Sequence, residues 1–280
     1  MIGLVVDSNS QLPADFVDRF GIEVVPLTVT VDGVEYLEGV DLDADGFYAA
    51  WSAGRTPDVS TSQPSPGAFA AVYARLVERG ATAIVSVHIA ETMSGTLNAA
   101  RLAAASVDVP IRLVDSGTAS FGITCCAWAA AEWLAAGGSL DEAVEIASRR
   151  AANLRTSFVV GVPQLIDRSG RATGVDVTEA ATDGIPVIAM SGSDLSVLTT
   201  AASLDSAVDA MVHDALAWPP SNEDGLRIAI GTSDASSRPL AHALTEALAG
   251  HTLVADIVQY RIGPSVGAHT GPGTAGLFVF

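Results

Sequence analysis

Short runs of aliphatic and β-branched residues alternate with amphipathic helical patterns through the first half of the chain, and this alternation constrains the fold more than any other feature. The runs predict strands at residues 2–6, 22–31, 83–87 and 111–115. The segments between them predict helices, one beginning at Pro66 behind an N-cap Ser65 and others at residues 95–105, 119–136 and 140–153. Strands that alternate with helices favour βαβ units and a parallel sheet.

The pattern changes after Thr156, where strands follow one another with fewer helices between them. Strands are predicted at residues 158–161, 185–190, 226–230, 253–258 and 275–280, and helices at residues 204–217 and 239–249. We therefore expect an α/β chain of two domains, an N-terminal α/β domain over residues 1–155 and a C-terminal α+β domain over residues 156–280.

The charge composition excludes several classes of function. Acidic residues number 32 and basic residues 14, which gives a formal net charge of −18 and disfavours nucleic acid as a partner. None of the basic residues is a lysine. A Schiff-base lysine, lysine-bound pyridoxal phosphate and a phosphate-loop lysine are therefore excluded. The negative charge also predicts no stable association with anionic membranes.

Three features concern the compartment. Adjacent Cys125 and Cys126 are expected to be buried, reduced thiols, because a disulfide between sequence neighbours would be strained. The N-terminus has no basic segment, and Asp7 ends its apolar run too early for a signal peptide. The most apolar stretch, residues 121–136, is interrupted by Glu132 and is too short to span a membrane. We expect a soluble, cytoplasmic protein.

Hydroxyl side chains follow several predicted strands, at the edge where open α/β sheets bind ligands. They lie in residues 7–10, 60–63, 94–96 and 115–118. Helix capping explains any one of these turns by itself. Together, hydroxyls and helix N-terminal N–H groups form a neutral set of donors suited to one carboxylate or phosphate.

Two of the five histidines are candidate functional residues. His88 follows a predicted strand, and His269 lies in residues 263–273, which are dense in glycine and proline. The backbone path of that segment must be specified, although turn chemistry alone would also explain its glycines. The chain has no phosphate loop and no H-E-x-x-H or C-x-x-C motif, which disfavours metal and nucleotide sites.

Three motifs resemble those of the DegV family of bacterial fatty-acid-binding proteins. They are Thr-Ser-Gln-Pro-Ser-Pro at residues 61–66, Met-Ser-Gly-Thr at residues 93–96 and His-Thr-Gly-Pro-Gly-Thr at residues 269–274. Residues 6–8, 21–27 and 114–116 fit the same family in the expected order. The resemblance extends over residues 1–280.

The resemblance implies two α/β domains with a long-chain fatty acid, such as palmitate, stearate or oleate, held between and within them. The hydroxyls of Thr61 and Ser94 would bind its carboxylate, and His269 would support that head group. Ser62 is a neighbour with a less defined role. The secondary candidates are Arg171, Gly95 and Thr96. No cofactor and no metal is implied. In the better-studied members of the family the bound acid is presented to a separate fatty acid kinase, so the resemblance implies a carrier rather than an enzyme.

Two departures from the family concern the kinase partner. A Lys-Gly-Gly-Arg-like turn reads Asp-Arg-Ser-Gly-Arg at residues 167–171, which keeps Arg171 but lacks the lysine. Residues 196–202 carry no cation where the family has a basic strand end. A lipid-sensing regulatory module without a kinase partner is therefore an alternative.

A serine hydrolase is an alternative of a different class. Ser94 would be its nucleophile, and His88 or His269 would be the base. A nucleophile elbow has glycines two residues before and after its serine, and here those positions are Thr92 and Thr96. The sequence therefore favours lipid binding over hydrolysis.

Overall fold

The computed structural model describes residues 1–51, 55–170, 175–219 and 225–280. Up to residue 152 its helices and strands are β1 (Ile2–Asp7), α1 (Ala14–Phe20), β2 (Ile22–Val25), β3 (Thr28–Val31), β4 (Val34–Leu37), α2 (Ala44–Ala49), β5 (Val59–Ser62), α3 (Pro66–Glu78), β6 (Ala83–His88), α4 (Thr96–Ala104), β7 (Ile111–Asp115), α5 (Phe121–Ala135) and α6 (Leu140–Ala152). The later elements are β8 (Arg155–Val159), α7 (Pro163–Arg168), α8 (Val177–Ala180), β9 (Ile185–Ser191), β10 (Asp194–Ala201), α9 (Leu204–Ala217), β11 (Leu226–Thr232), α10 (Arg238–Leu248), β12 (Val254–Arg261), α11 (Pro264–Thr270) and β13 (Ala275–Val279).

The chain forms two compact units. The first contains residues 1–41 and 58–152, and the second contains residues 42–57 and 153–280. The expected domain boundary after residue 155 stays a prediction. The segment 42–57, which carries α2, is assigned to the second unit, and no pattern in the sequence indicates this.

The first unit contains the parallel sheet expected from the sequence. Its strand order is β2-β1-β6-β7, and all three neighbouring pairs are parallel. The predicted strand at residues 111–115 has the observed bounds of β7. The predicted strand at residues 22–31 is instead two strands, because β3 leaves the parallel sheet after Pro26 and pairs antiparallel with β4 and β5. Proline has no N–H to donate to a strand ladder, so Pro26 favours a break between the two strands.

The register of the parallel strands brings their carboxyl ends to one edge. Val6 is opposite Val87, and His88 is opposite Asp115. The segments that follow β1, β6 and β7 therefore begin next to each other. Helices α3 and α4 cover one face of this sheet through an apolar core that includes Phe69, Tyr73 and Leu76.

Helix α5 is apolar on all sides and is buried along most of its length. Cys125 and Cys126 lie within it and are buried free thiols, as predicted. Among the described residues, no helix combines the length and the apolar character that crossing a membrane requires.

The second unit is built on a six-stranded mixed sheet with the order β10-β9-β8-β13-β11-β12. The β11–β12 pair is parallel, and the other four pairs are antiparallel. Helices α9 and α10 bury their apolar sides against it around Met211, Leu240 and Leu244. The predicted strand at residues 158–161 lies three residues too late, because β8 already pairs with β13 from Arg155. Strand β10, which forms a hairpin with β9, was not predicted.

Candidate functional site

Thr61 lies in β5, an edge strand of the three-stranded sheet, where it is opposite Val29. Its side chain is half-buried, whereas Ser62 is exposed. Ser65, three residues after Ser62, caps α3 as predicted, and its Oγ accepts a hydrogen bond from the Ala68 N–H at 3.2 Å. The Thr-Ser-Gln turn is therefore held by a strand ladder on one side and by a helix cap on the other.

Ser94 lies in the loop between β6 and α4. Its N–H donates to the Ala90 carbonyl at 3.1 Å. Its Oγ lies 2.8 Å from Thr96 Oγ1 and accepts from the Thr96 N–H at 3.3 Å. The bond between the two hydroxyls uses one of their two hydrogens, so the pair retains one hydrogen for a ligand. The start of α4 adds a partial positive charge that favours an anionic group.

The Thr-Ser-Gln turn and the Ser-Gly-Thr turn meet within the first unit. A β-carbon built on Gly95 would lie 2.0 Å from Gln63 Oε1 and 3.0 Å from its Nε2. The amide of Gln63 therefore rests against the bare backbone of Gly95. The structure thus brings together the turns that carry Thr61 and Ser94, while the roles of these residues stay predictions.

A buried hydrogen-bonded chain runs beside these turns, and sequence reasoning missed most of it. Tyr73 Oη lies 2.9 Å from Ser86 Oγ, which lies 2.6 Å from His88 Nε2. His88 Nδ1 lies 3.0 Å from Asp7 Oδ2. All four residues have 0% of their surface exposed. Ser86 and His88 are two residues apart in β6 and so share one face of the strand, which is the signal that could have linked them.

This chain bears on the hydrolase alternative. Ser86, His88 and Asp7 make the contacts of a Ser-His-Asp triad, but Ser86 is fully enclosed in the centre of the sheet, where a substrate has no access. Both ring nitrogens of His88 are occupied by Ser86 and Asp7, and the hydroxyl partner of Ser94 is Thr96. The geometry therefore does not support His88 as a base for Ser94. His269 as that base stays an untested prediction.

His269 belongs to a short helix, where the sequence suggested only turns. It lies in α11, which begins with Pro264 at its first position, and its side chain is half-buried. Gly267, in the same helix, packs so closely on α2 that an added β-carbon would lie 2.5 Å from Tyr48 Oη. Packing therefore requires the glycine at position 267, one of those that obscured the helix in the sequence.

The loop after α11 is fixed by two neighbouring segments of the second unit. A β-carbon on Gly161 would lie 1.6 Å from the Pro272 carbonyl oxygen, so only glycine fits there. On the other side the Gly273 N–H donates to Asp234 Oδ1 at 2.8 Å. The backbone path that follows His269 is therefore specified, as expected.

Residues 271–276 read G-x-G-x-x-G. This stretch connects α11 to β13. A dinucleotide-binding fingerprint instead follows a strand and opens a helix. The local order therefore does not support a nucleotide site.

Arg171 lies outside the described residues. Across residues 1–51, 55–170, 175–219 and 225–280, no group of three or more His, Cys, Asp or Glu side chains is arranged to hold a metal ion.

Known proteins resemble the chain over its full length. A family model described as an uncharacterised protein of the DegV family matches residues 1–280. A DegV domain-containing protein of Streptomyces coelicolor is 33% identical over 280 residues, which cover 99% of this chain and 98% of that protein.

Solved structures share the fold. A fatty-acid-binding DegV family protein from Thermus thermophilus matches with a TM-score of 0.90 and 29% identity, covering 100% of this chain and 99% of that one. DegV of Bacillus subtilis, a fatty acid binding protein, matches in fold with a TM-score of 0.82 and 23% identity over 100% and 99% of the two chains. The family match and the full-length relatives agree, and this chain belongs to the DegV family.

Proposed function

We propose that this protein is a carrier of long-chain fatty acids, such as palmitate, stearate or oleate. The observation that carries the proposal is the contact between Gln63 and Gly95, because it shows that the turns of Thr61 and Ser94 are neighbours in one unit. The similarity to the fatty-acid-binding protein of Thermus thermophilus, at 29% identity over the whole chain, supports the same ligand.

In this proposal hydroxyls bind the head group. Thr61 and Ser94 donate to the carboxylate, His269 supports it, and Ser62, Gly95 and Thr96 line its surroundings. A neutral donor set suits a site that must fill and empty, because no cation is left buried without a partner when the ligand leaves. Arg171 is kept as a secondary candidate.

Burial of the acyl chain supplies the affinity. A chain of ~15 methylenes removed from water contributes roughly 12 kcal/mol before the costs of binding, at ~0.8 kcal/mol per methylene. A few hydrogen bonds then suffice to orient the head group. The proposed role needs no catalytic step, and we place it in the cytoplasm.

The proposed partner is a fatty acid kinase that phosphorylates the presented carboxylate. The segment that lacks the family's basic residues is β10, an edge strand of the second unit. If the kinase binds the family's other members through those basic residues, its affinity for this protein will be low. The regulatory alternative without a kinase is then favoured. A pull-down with the host's fatty acid kinase separates the two, because a stable complex supports the carrier role.

The head-group assignment is tested by the double substitution Thr61→Ala and Ser94→Ala. The variant is purified and its retention of added palmitate is measured after gel filtration. We expect retention to be lost, because the carboxylate loses both hydroxyl donors. The matched control is Ser196→Ala with Thr200→Ala on the exposed face of β10, which removes the same two kinds of side chain. Full retention in the Thr61/Ser94 variant would refute the assignment.

A further inference from the structure

Asp7 is a buried carboxylate that joins the ends of two strands. Its Oδ1 accepts from the Asn9 N–H at 3.1 Å, just after β1. Its Oδ2 accepts from the Ile89 N–H at 3.0 Å, just after β6, and lies 3.0 Å from His88 Nδ1. A buried charge is costly unless such donors compensate it, and three of them converge on this side chain.

The hydrogens of this network have one arrangement that pairs every donor. Nδ1 of His88 faces a carboxylate and so carries a hydrogen, which leaves Nε2 as the acceptor for the Ser86 hydroxyl. The Ser86 oxygen in turn accepts from the Tyr73 hydroxyl. All the donors then point in one direction, from Tyr73 to Asp7.

Asp7 is connected to Ser94 through a short series of backbone hydrogen bonds. Ile89, held by Asp7, is followed by Ala90, whose N–H donates to the Thr118 carbonyl at 2.8 Å. The Ala90 carbonyl accepts from the Ser94 N–H at 3.1 Å. Asp7, which fixes the backbone just after β6, therefore also determines where the loop places the Ser94 hydroxyl.

We propose that Asp7 and His88 are positioning residues for Ser94, which fix the loop after β6 so that the Ser94 hydroxyl meets the ligand's carboxylate. The inference rests on the proposed function, in which Ser94 binds that carboxylate. An apolar pair could fill the same volume at no greater cost in stability. The polar pair adds orientation, because Asp7 accepts the Ile89 N–H and His88 fixes the carboxylate that does so.

The test compares three single variants with wild-type protein. Asp7→Asn keeps the shape but replaces one acceptor oxygen by a donor. His88→Gln is a second variant in case Asp7→Asn does not fold. Tyr73→Phe is the matched control, because it removes one hydrogen bond from the far end of the same network without touching Ile89. Ser94→Ala serves as the reference for a lost head-group contact.

Two properties are measured for each variant with palmitate labelled with ¹³C at its carboxyl carbon. One is the Kd, and its change from wild type is compared with the change in the free energy of unfolding in urea. The other is the ¹³C chemical shift of the bound carboxylate, which reports its hydrogen bonds and which a loss of stability alone does not move. We expect Asp7→Asn and His88→Gln to raise the Kd about tenfold, as for the loss of one well-placed hydrogen bond, and to move the shift towards the Ser94→Ala value. Tyr73→Phe should lower stability but keep the wild-type shift.

Two outcomes would overturn the inference alone. One is a wild-type shift and Kd in Asp7→Asn and His88→Gln while Ser94→Ala loses both. The other is a Kd that rises in proportion to the loss in the free energy of unfolding in all three variants, Tyr73→Phe included. If Ser94→Ala itself keeps the wild-type shift and Kd, the head-group assignment of the proposed function fails and the inference falls with it.

Discussion

The side-chain amide of Gln63 occupies the space that a side chain on Gly95 would need, with Oε1 2.0 Å from the position of a β-carbon there. Gln63 and Gly95 are 32 residues apart in sequence, and their contact shows that the two hydroxyl turns are neighbours. The φ of Gly95 is −74°, a value that other residues also adopt, so the contact with Gln63 and not the backbone conformation is what a side chain at this position would disturb.

Replacing Gly95 with alanine should therefore weaken ligand binding more than it weakens the fold. The added methyl group forces the Gln63 side chain out of its place between the Thr61 and Ser94 turns, which changes the surroundings of both hydroxyls. We expect the Kd for palmitate to rise about tenfold, while the free energy of unfolding falls by ~1 kcal/mol or less. Isothermal titration calorimetry and urea unfolding measure the two quantities.

Gly67→Ala is the control for this substitution. Gly67 lies in the first turn of α3, where an added β-carbon would meet Ser65 Oγ at an ordinary 3.7 Å. Its Kd should stay at the wild-type value. Equal effects of the two alanines would show that the contact with Gln63 does not matter for binding.

Asp234 should stabilise the loop that follows His269. Removing the carboxylate in Asp234→Ala leaves the Gly273 N–H without its acceptor, which costs ~1–3 kcal/mol in the free energy of unfolding. The control is Asp194→Ala, because Asp194 is exposed at the start of β10 and should contribute little. This role would be contradicted if Asp234→Ala lowered the free energy of unfolding in urea no more than Asp194→Ala does.

The contribution of Asp234 should also depend on pH. Burial raises the pKa of its carboxyl, but hydrogen bonds from the Gly273 N–H and from the hydroxyls of Ser236 and Ser233 outweigh burial, so the pKa lies below its usual range. A carboxyl with a lowered folded pKa stabilises the fold above its unfolded pKa of ~3.9, and that stability is lost as the pH falls through the folded pKa. The stability difference between wild type and Asp234→Ala should thus shrink in acid. A difference that stays constant down to about pH 2 would argue against an ionised Asp234 as its source.

The adjacent thiols in α5 should be inert in the folded protein. Burial raises the pKa of Cys126 to about 12 and that of Cys125 well above its usual value. Since the thiolate is the reactive form, neither should react with Ellman's reagent at about pH 8 until the protein unfolds. Two thiols should then become reactive in urea. Rapid labelling of the native protein would show that α5 opens or is packed less tightly.

Local sequence patterns predicted the regular elements well where the pattern was uninterrupted. Residues 111–115 and 204–217 have their predicted bounds because each carries one periodicity between clear breaks. Helix α11 was missed because its Pro264 and Gly267 resemble turn residues, although the first fits a helix start and the second is required by the packing of Tyr48.

The candidate site shows where local patterns stop being sufficient. The motifs of Thr61 and Ser94 can be found from their residues, but their proximity depends on a contact between distant segments. Asp7 and His88 were each noted separately, and the link between them depends on the parallel pairing of β1 with β6. Long-range register, which no local pattern contains, therefore decides which polar residues act together.

The central claim is that the folded chain holds one long-chain fatty acid. Native mass spectrometry of the purified protein, paired with denaturing extraction and mass spectrometry of the released lipid, tests it most directly. We expect one fatty acid of about 16 to 18 carbons per chain, a length whose burial outweighs the cost of binding. A protein that is isolated empty and also fails to take up added palmitate would contradict the claim.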